Sequence, residues 1–235
     1  MRQKVNILRH IGVLLLTNII FFLGLFIGNS VEELRVDTLY SQLQDQDLDY
    51  QKMLVESQYI DYLIDSKSQN NVSCDTIKGA YFTSIQNLGD STIKLEQYIN
   101  NANSNEEDYK RIKDYYSNVQ VTYWLLAQKI ENLCQSNLNT VLFFYGDKKK
   151  CPSCEDQGVH LTYVKQKLKD NVLIFNFDAE KTGAIKLISQ NYQIQGRELP
   201  SLIINGKLLG FLTNEELFDV LCKDGLENEV CNKTE

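Results

Sequence analysis

The hydrophobic rhythm of the chain changes twice. Residues 11–28, IGVLLLTNIIFFLGLFIG, run for 18 positions without a charge. From about 30 to 138 apolar residues recur at heptad spacing, and from 139 onward short apolar runs alternate with amphipathic stretches. The first run has about the length a helix needs to cross a bilayer core. Arg2, Lys4 and Arg9 precede it without an acid, whereas Glu32, Glu33, Asp37, Asp45, Asp47 and Asp49 follow it against Arg35 alone. The positive-inside rule predicts a cytoplasmic N-terminus and an extracytoplasmic body after residue 28, the product being a single-pass protein of the cell membrane. A cleaved signal peptide is the alternative, because GNS (28–30) offers small residues for cleavage, but the apolar run exceeds the usual signal core. Both readings place the body outside the cytoplasm.

The Ser30-x-x-Glu33 capping box predicts a new helix beginning where the anchor ends. Val36, Leu39, Leu43, Tyr50, Met53, Ile60 and Ile64 form its stripe, interrupted by Gln46 and Ser57. The polar SKSQNNVSC (66–74) breaks the pattern. A second helix sets Ile77, Tyr81, Ile85, Leu88, Leu95 and Ile99 on one side. NNANSN then turns the chain, and Ser104-x-x-Glu107 caps a third helix. Its stripe is Tyr109, Ile112, Tyr116, Val119, Tyr123, Leu126, Ile130 and Leu133. Three helices of ~25–35 residues, each ~40–50 Å long, suggest an antiparallel bundle or an extended helical hairpin. One stripe per helix is accounted for when the helices pack on each other; a partner-binding or dimerising surface is the other use of such stripes.

Beyond residue 139 the period becomes strand-like. TVLFFYG (140–146) and VLIFNFD (172–178) read as buried strands, with helices over 151–171, after its CPSC, and over KTGAIKLISQNY (181–192). LPSLIING and KLLGFL (199–212) form a hairpin through Asn205-Gly206, and Thr213-x-x-Glu216 caps a last helix through Cys222. The order is β-α-β-α-β-β-α, in which the helical crossover makes the first two strands parallel and the hairpin makes the last two antiparallel. The expected class is therefore α+β/α/β: a cytoplasmic stub and transmembrane helix (1–28), an extracytoplasmic helical segment (29–138), a β-α-β-α-β-β-α domain (139–223) and a tail (224–235).

Charge removes one class of partner. A net charge of −7 and a pI near 5.0 argue against nucleic acid. Cysteine adds more. The six thiols are an even number, and an oxidising compartment permits disulfides. Cys74 begins the second helix and Cys134 ends the third, so an antiparallel pair brings them together and a bond there clamps its open end. Cys222 ends the last helix and Cys231 lies nine residues on, past Gly225, where a bond staples the tail. Both are expected to be structural disulfides.

The remaining two thiols lie in GDKKKCPSCEDQ (146–157). Zinc requires four ligands, and the only histidines are His10 and His160, so no metal site is expected. Two inert thiols are also a poor reading of an exposed helix start flanked by charges. A redox pair remains. A thiolate is the attacking species, and a helix N-terminus beside Lys148, Lys149 and Lys150 favours it at Cys151, the expected nucleophile. Cys154, one turn deeper, is expected to resolve the mixed disulfide. Pro152 sets the backbone of the first turn, where its missing N–H is harmless. No cofactor is implied.

The strand VLFFYG, the C-x-x-C at the start of the next helix, FNFD on the following strand and LPSLIINGK together resemble the thioredoxin fold over residues 139–223. The resemblance does not extend to 30–138. It implies a thiol–disulfide oxidoreductase in which Pro200 is cis and faces the sulfurs, and in which Leu199 forms part of the substrate-docking edge. The chain departs from the family pattern at three places. Lys150 replaces the usual aromatic before the first cysteine, and the preceding loop is about two residues longer. The strand positions where thioredoxins bury an acid read Leu142, Phe143 and Phe144. Proton transfer from Cys154 then falls to Glu155 or water.

Cys-Pro-x-Cys is similar to the motif of glutaredoxins and some disulfide oxidases. The motif, the helix start and the missing acid all predict an oxidase or isomerase leaning. Cys151 is then expected to titrate below about 8.5, with a potential above about −230 mV. The expected partners are protein thiol or disulfide substrates, a separate redox partner and the membrane. Two other functions stay open: a reductase fed across the membrane, and a non-catalytic adaptor with a permanently oxidised pair. Asn71-Val72-Ser73 and Asn232-Lys233-Thr234 are glycosylation acceptors only in a host with that machinery.

Overall fold

Helix is the state of every described residue from 7 to 70 in the computed structural model. The structure describes residues 7–70, 72–101, 106–136, 138–180, 183–194, 199–223 and 231, with side chains for 11–25 (13 excepted), 48–67, 72–89, 110 and from 113 onward. Asn71, Ser104, Gly225 and Asn232, named above, fall outside these residues, as do the side chains of Val36, Leu39, Leu43, Leu95, Ile99, Tyr109 and Ile112. Two compact units are present, 1–49 and 50–235.

The helix expected to start anew at Ser30 does not do so: α1 (Ile7–Asn70) is a single helix of 64 residues. A capping box needs its first residue to leave helical dihedrals. This stretch has no proline to force that, so the ladder of i to i−4 hydrogen bonds continues through it. In the first unit, the described side chains of 11–25 are exposed around the whole circumference of the helix. Asn18 meets its amide requirement locally, donating to the Leu14 carbonyl at 2.8 Å. Among the described residues no helix is long and apolar enough to cross a membrane. The expected span, 11–28, includes 26–28, whose side chains are not described.

In the second unit the C-terminal part of α1, α2 (Cys74–Asn101) and α3 (Glu106–Cys134) bury most of their described stripe residues against one another, whereas Leu133, expected in the α3 stripe, is exposed in the last turn. Met53, Ile60 and Ile64 of α1, Ile77, Tyr81 and Leu88 of α2, and Tyr116, Val119, Tyr123, Leu126 and Ile130 of α3 are all buried. Each such side chain removed from water contributes roughly 1.5–3 kcal/mol. Tyr81 has no exposed surface, and its hydroxyl donates to the Tyr123 carbonyl at 3.1 Å, satisfying its one polar atom inside the core. Ser57, which interrupts the stripe, is buried too and donates to the Leu54 carbonyl at 2.8 Å. Tyr50 stacks on Tyr115 with ring centroids 4.7 Å apart.

Residues 139–223 follow the expected order: β1 (Asn139–Tyr145), α4 (Cys154–Leu168), a short 3-10 turn (Lys169–Asn171), β2 (Val172–Asp178), α5 (Ala184–Asn191), β3 (Ser201–Ile204), β4 (Lys207–Leu209) and α6 (Asn214–Lys223). The sheet order is β2-β1-β3-β4, with β1 parallel to β2 and the other pairs antiparallel. The register sets Val141 beside both Ile174 and Ile204. The hairpin turns through Asn205 and Gly206, both at positive φ (49° and 83°), the left-handed geometry that a two-residue hairpin turn requires. Alternation along β1 then divides the core. Val141 and Phe143 join Leu202, Ile204, Leu161, Val164, Leu168, Leu217 and Leu221 in one cluster, where α4 and α6 pack together. Leu142 and Phe144 point to the other face, and the Phe144 ring meets Phe177 at 5.5 Å.

Helix α3 has a second working face. Beside its tyrosine stripe, Gln120 accepts the Asn176 backbone N–H at 2.7 Å, Lys113 pairs with Asp178 at 2.8 Å, and Gln128 donates to Thr140 Oγ1 at 3.2 Å. Strand β2 is an edge strand, and Gln120 takes up one of the backbone donors that such an edge leaves unpaired. The heptad pattern names one stripe on α3 and misses this face, because its side chains are mostly polar.

Candidate functional site

Strand β1 ends at Tyr145 and Gly146 follows it. Asp147 then organises the lysine-rich loop: its Oδ1 accepts the backbone N–H of Lys149 at 2.7 Å and of Lys150 at 3.1 Å, and its carbonyl accepts the Cys151 N–H at 2.8 Å. This is an Asx turn, in which a short carboxylate substitutes for backbone acceptors. Helix α4 opens at Cys154, not at Cys151. Cys151 sits one turn ahead, in a turn closed by the Cys154 N–H to the Cys151 carbonyl at 3.3 Å. Pro152 and Ser153 occupy that turn, Pro152 exposed.

Cys151 and Cys154 are joined by a disulfide. The exposed position expected for them is not what the structure contains: Cys151 is 1% exposed and Cys154 9%. Both belong to the apolar cluster between the sheet, α4 and α6, against which Tyr145 and Leu199 also pack. The reason is tertiary. The turn ahead of α4 folds inward over the end of the sheet, so its sulfurs face apolar side chains. Burial of this kind disfavours a thiolate.

The lysines contribute less positive charge than their number suggests. Lys148 pairs with Glu155 at 3.0 Å, both well exposed, and Lys150 pairs with Glu180. The Glu180 carboxylate holds the Lys150 ammonium above its ordinary pKa. Charges matched in this way and screened by water exert little field on a neighbouring sulfur. The described buried polar residues are serines, threonine, asparagine and glutamine, with no carboxylate among them.

Leu199 and Pro200 are joined by a cis peptide bond, and Pro200 is buried. The Leu199 side chain presses on Gly146: a Cβ there would lie 2.9 Å from Leu199 Cδ1 and 3.8 Å from Cys151 Cβ. Gly146 thus admits Leu199 beside the disulfide, a role that nothing in the local pattern around Gly146 announces. Gln157 was missed in the same way. Fully buried one turn after Cys154, it accepts the Leu212 N–H at 2.8 Å and donates to the Leu212 carbonyl at 3.1 Å. His160 Nδ1 meets Asn214 Oδ1 at 2.9 Å. These bonds fix α4 to the segment that leads into α6.

A cavity of about 1100 Å³ opens beside the disulfide, walled by α3, α4, the end of β1 and the middle of β2. Tyr116, Phe143, Tyr145, Ile174 and both cysteines line it. The other cysteines are also paired. Cys74 is bonded to Cys134 across 60 residues, and Cys222 to Cys231 across nine. Cys231 packs against the same cluster as the C-x-x-C pair.

No protein-family model matches the sequence. No curated protein sequence matches it either. Among solved structures, the chain is similar to a malarial protein at 17% identity and a TM-score of 0.32, over 38% of this chain and 99% of the other. It is similar to thioredoxin-2, described as a component of the malaria parasite protein secretion machinery, at 17% identity and a TM-score of 0.31, over 37% of this chain and 82% of the other. Chloroplastic thioredoxin z is similar at 18% identity and a TM-score of 0.32, over 42% of this chain and 88% of the other. The likeness to thioredoxins is distant and structural.

Proposed function

We propose that the protein is a thiol–disulfide oxidoreductase acting on protein cysteines through Cys151 and Cys154. The observation that carries the reading is the placement of the pair: a C-x-x-C between the end of a central strand and the start of a helix, in a β2-β1-β3-β4 sheet. Cys151 is the nucleophile. Its thiolate attacks one sulfur of a substrate disulfide, the substrate's second sulfur leaves as thiolate, and Cys154 then attacks Cys151 to release the substrate reduced. Run in reverse, the same steps oxidise a substrate dithiol. Pro152, Lys150, Leu199 and Pro200 shape the surroundings of the pair and take no proton or electron.

The direction we propose is oxidation or isomerisation. The positive end of α4, which opens at Cys154, works against the burial that disfavours a thiolate, and no described buried carboxylate assists deprotonation of Cys154. We further propose that 11–28 anchors the chain in a membrane with the N-terminus cytoplasmic and the remainder extracytoplasmic. The uncharged run and the charge asymmetry across it support this.

Burial of both sulfurs favours a second reading, an adaptor whose pair stays oxidised. Redox titration of the full chain against glutathione decides between them. A midpoint above about −230 mV supports the oxidase leaning, and one near thioredoxin's, about −270 mV, makes the protein a reductase. No exchange at any poise leaves the adaptor.

A further inference from the structure

A lysine stands against the disulfide at the far end of the helical layer. Lys67, in the last turn of α1, places its ammonium 2.8 Å from Cys74 Sγ and 3.7 Å from Cys134 Sγ, and donates to the Leu133 carbonyl at 3.1 Å. The two sulfurs are not equivalent. Cys74 is the first residue of α2, whose N-terminus is capped by the Ser73 hydroxyl accepting the Thr76 N–H at 3.1 Å. Cys134 is the last residue of α3. The positive end of one helix dipole and the nearer ammonium therefore act on Cys74, and the negative end of another acts on Cys134. The neighbouring acid, Asp75, is turned toward Lys78 at 3.5 Å. Both cysteines are half-buried rather than enclosed.

We propose that Cys74–Cys134 is a second thiol–disulfide exchange site, polarised so that an incoming thiolate attacks Cys134 and Cys74 leaves as thiolate beside Lys67. The reductant is a small or protein thiol. Its sulfur forms a bond to Cys134 Sγ as the Cys134–Cys74 bond breaks, and the electron pair of that bond passes to Cys74 Sγ. A second thiol then displaces Cys134 as thiolate. Two thiols become one disulfide, and the protein gains two electrons. Leaving-group stabilisation speeds exchange, because the sulfur that holds negative charge more readily departs faster. The bond ties the start of α2 to the end of α3, so this exchange unlocks the helical layer independently of the C-x-x-C pair.

The test uses the full chain with Cys151→Ser and Cys154→Ser, so its outcome does not depend on the function proposed above. The oxidised protein is treated with limiting glutathione, quenched in acid, alkylated and mapped. The expected product carries glutathione on Cys134 and the alkyl group on Cys74, with Cys222–Cys231 reduced more slowly. Lys67→Met is expected to slow reduction of Cys74–Cys134 by about fivefold, with Lys67→Arg restoring most of the rate. Glutathione on Cys74, or equal adduct on both sulfurs, overturns the polarity. An unchanged rate in Lys67→Met overturns the role of the ammonium. If Lys67→Met does not fold, the adduct position in the parent protein still decides.

Discussion

Two disulfides in the second unit sit in opposite kinds of surroundings. Cys151–Cys154 joins residues three apart in sequence and lies in an apolar cluster, 1% and 9% exposed, with Lys148 committed to Glu155 and Lys150 to Glu180. Cys74–Cys134 spans 60 residues, is half-buried, and has the Lys67 ammonium at 2.8 Å. The pair whose sequence context promises cationic activation receives little of it. The pair whose spacing promises only a clamp has a cation in direct contact. Sequence neighbours are thus a poor guide to the field at a sulfur, because exposed lysines find exposed carboxylates while a half-buried one is held where packing puts it.

The largest effect expected from breaking this contrast is on catalysis. Cys151→Ser should lower turnover of a protein disulfide substrate by about a hundredfold or more, since it removes the nucleophile. Cys154→Ser should retain the first step and accumulate a mixed disulfide, visible by non-reducing electrophoresis. Accumulation in Cys151→Ser instead would exchange the two roles.

Stability should show the reverse ranking. Converting Cys74 and Cys134 together to serine removes a long cross-link and should cost about 4 kcal/mol, against about 3 kcal/mol for Cys222 and Cys231, by the loop-entropy relation. Urea unfolding of the two double variants measures this. Equal losses would mean that the unfolded chain keeps the helical layer's ends together without the bond.

Alkaline pH sharpens the comparison between the helical layer and the sheet. Burial pushes the Tyr123 hydroxyl up to about 12, partly offset by Ser84, and raises Tyr81 well above its ordinary value of 10.0. In the unfolded chain both titrate near 10. Their contribution is fully present below that pH and is lost as pH rises toward 12, because the unfolded state gives up protons first. Near-ultraviolet circular dichroism followed with tyrosinate absorbance should therefore show late, cooperative ionisation. Replacing Tyr123 by phenylalanine should remove much of the loss.

The smallest effect lies at α6. Glu216 accepts the Thr213 N–H at 2.8 Å, and the Thr213 hydroxyl caps the Glu216 N–H at 3.4 Å. The Thr213 backbone bond, then its hydroxyl, holds the Glu216 carboxyl below its usual range. That stabilisation is present above the unfolded pKa near 4.5 and is lost as pH falls through the lower folded value. Glu216→Gln should lower stability slightly at neutral pH and flatten the acid limb of the unfolding curve, the variant and the parent converging below the folded pKa.

Local chemistry determined a large share of this molecule from the sequence alone. The alternation of VLFFYG and VLIFNFD, the Asn205-Gly206 turn and the Thr213–Glu216 capping box each act over a few residues, so the order from β1 to α6 was legible. The tyrosine and isoleucine stripes were legible for the same reason, since a helix repeats its faces every three to four residues. Tertiary structure decided the rest. It did not set the run of α1 past Ser30, where a local capping signal lost to the helix's own uninterrupted hydrogen-bond ladder. It gave α3 its polar second face, set Leu199 against Gly146, sealed both sulfurs of the C-x-x-C pair into the core and brought Lys67 to Cys74. Each of these depends on a partner whose position is set by packing, and hydrophobic periodicity carries no information about where a polar tip or a sulfur will come to rest.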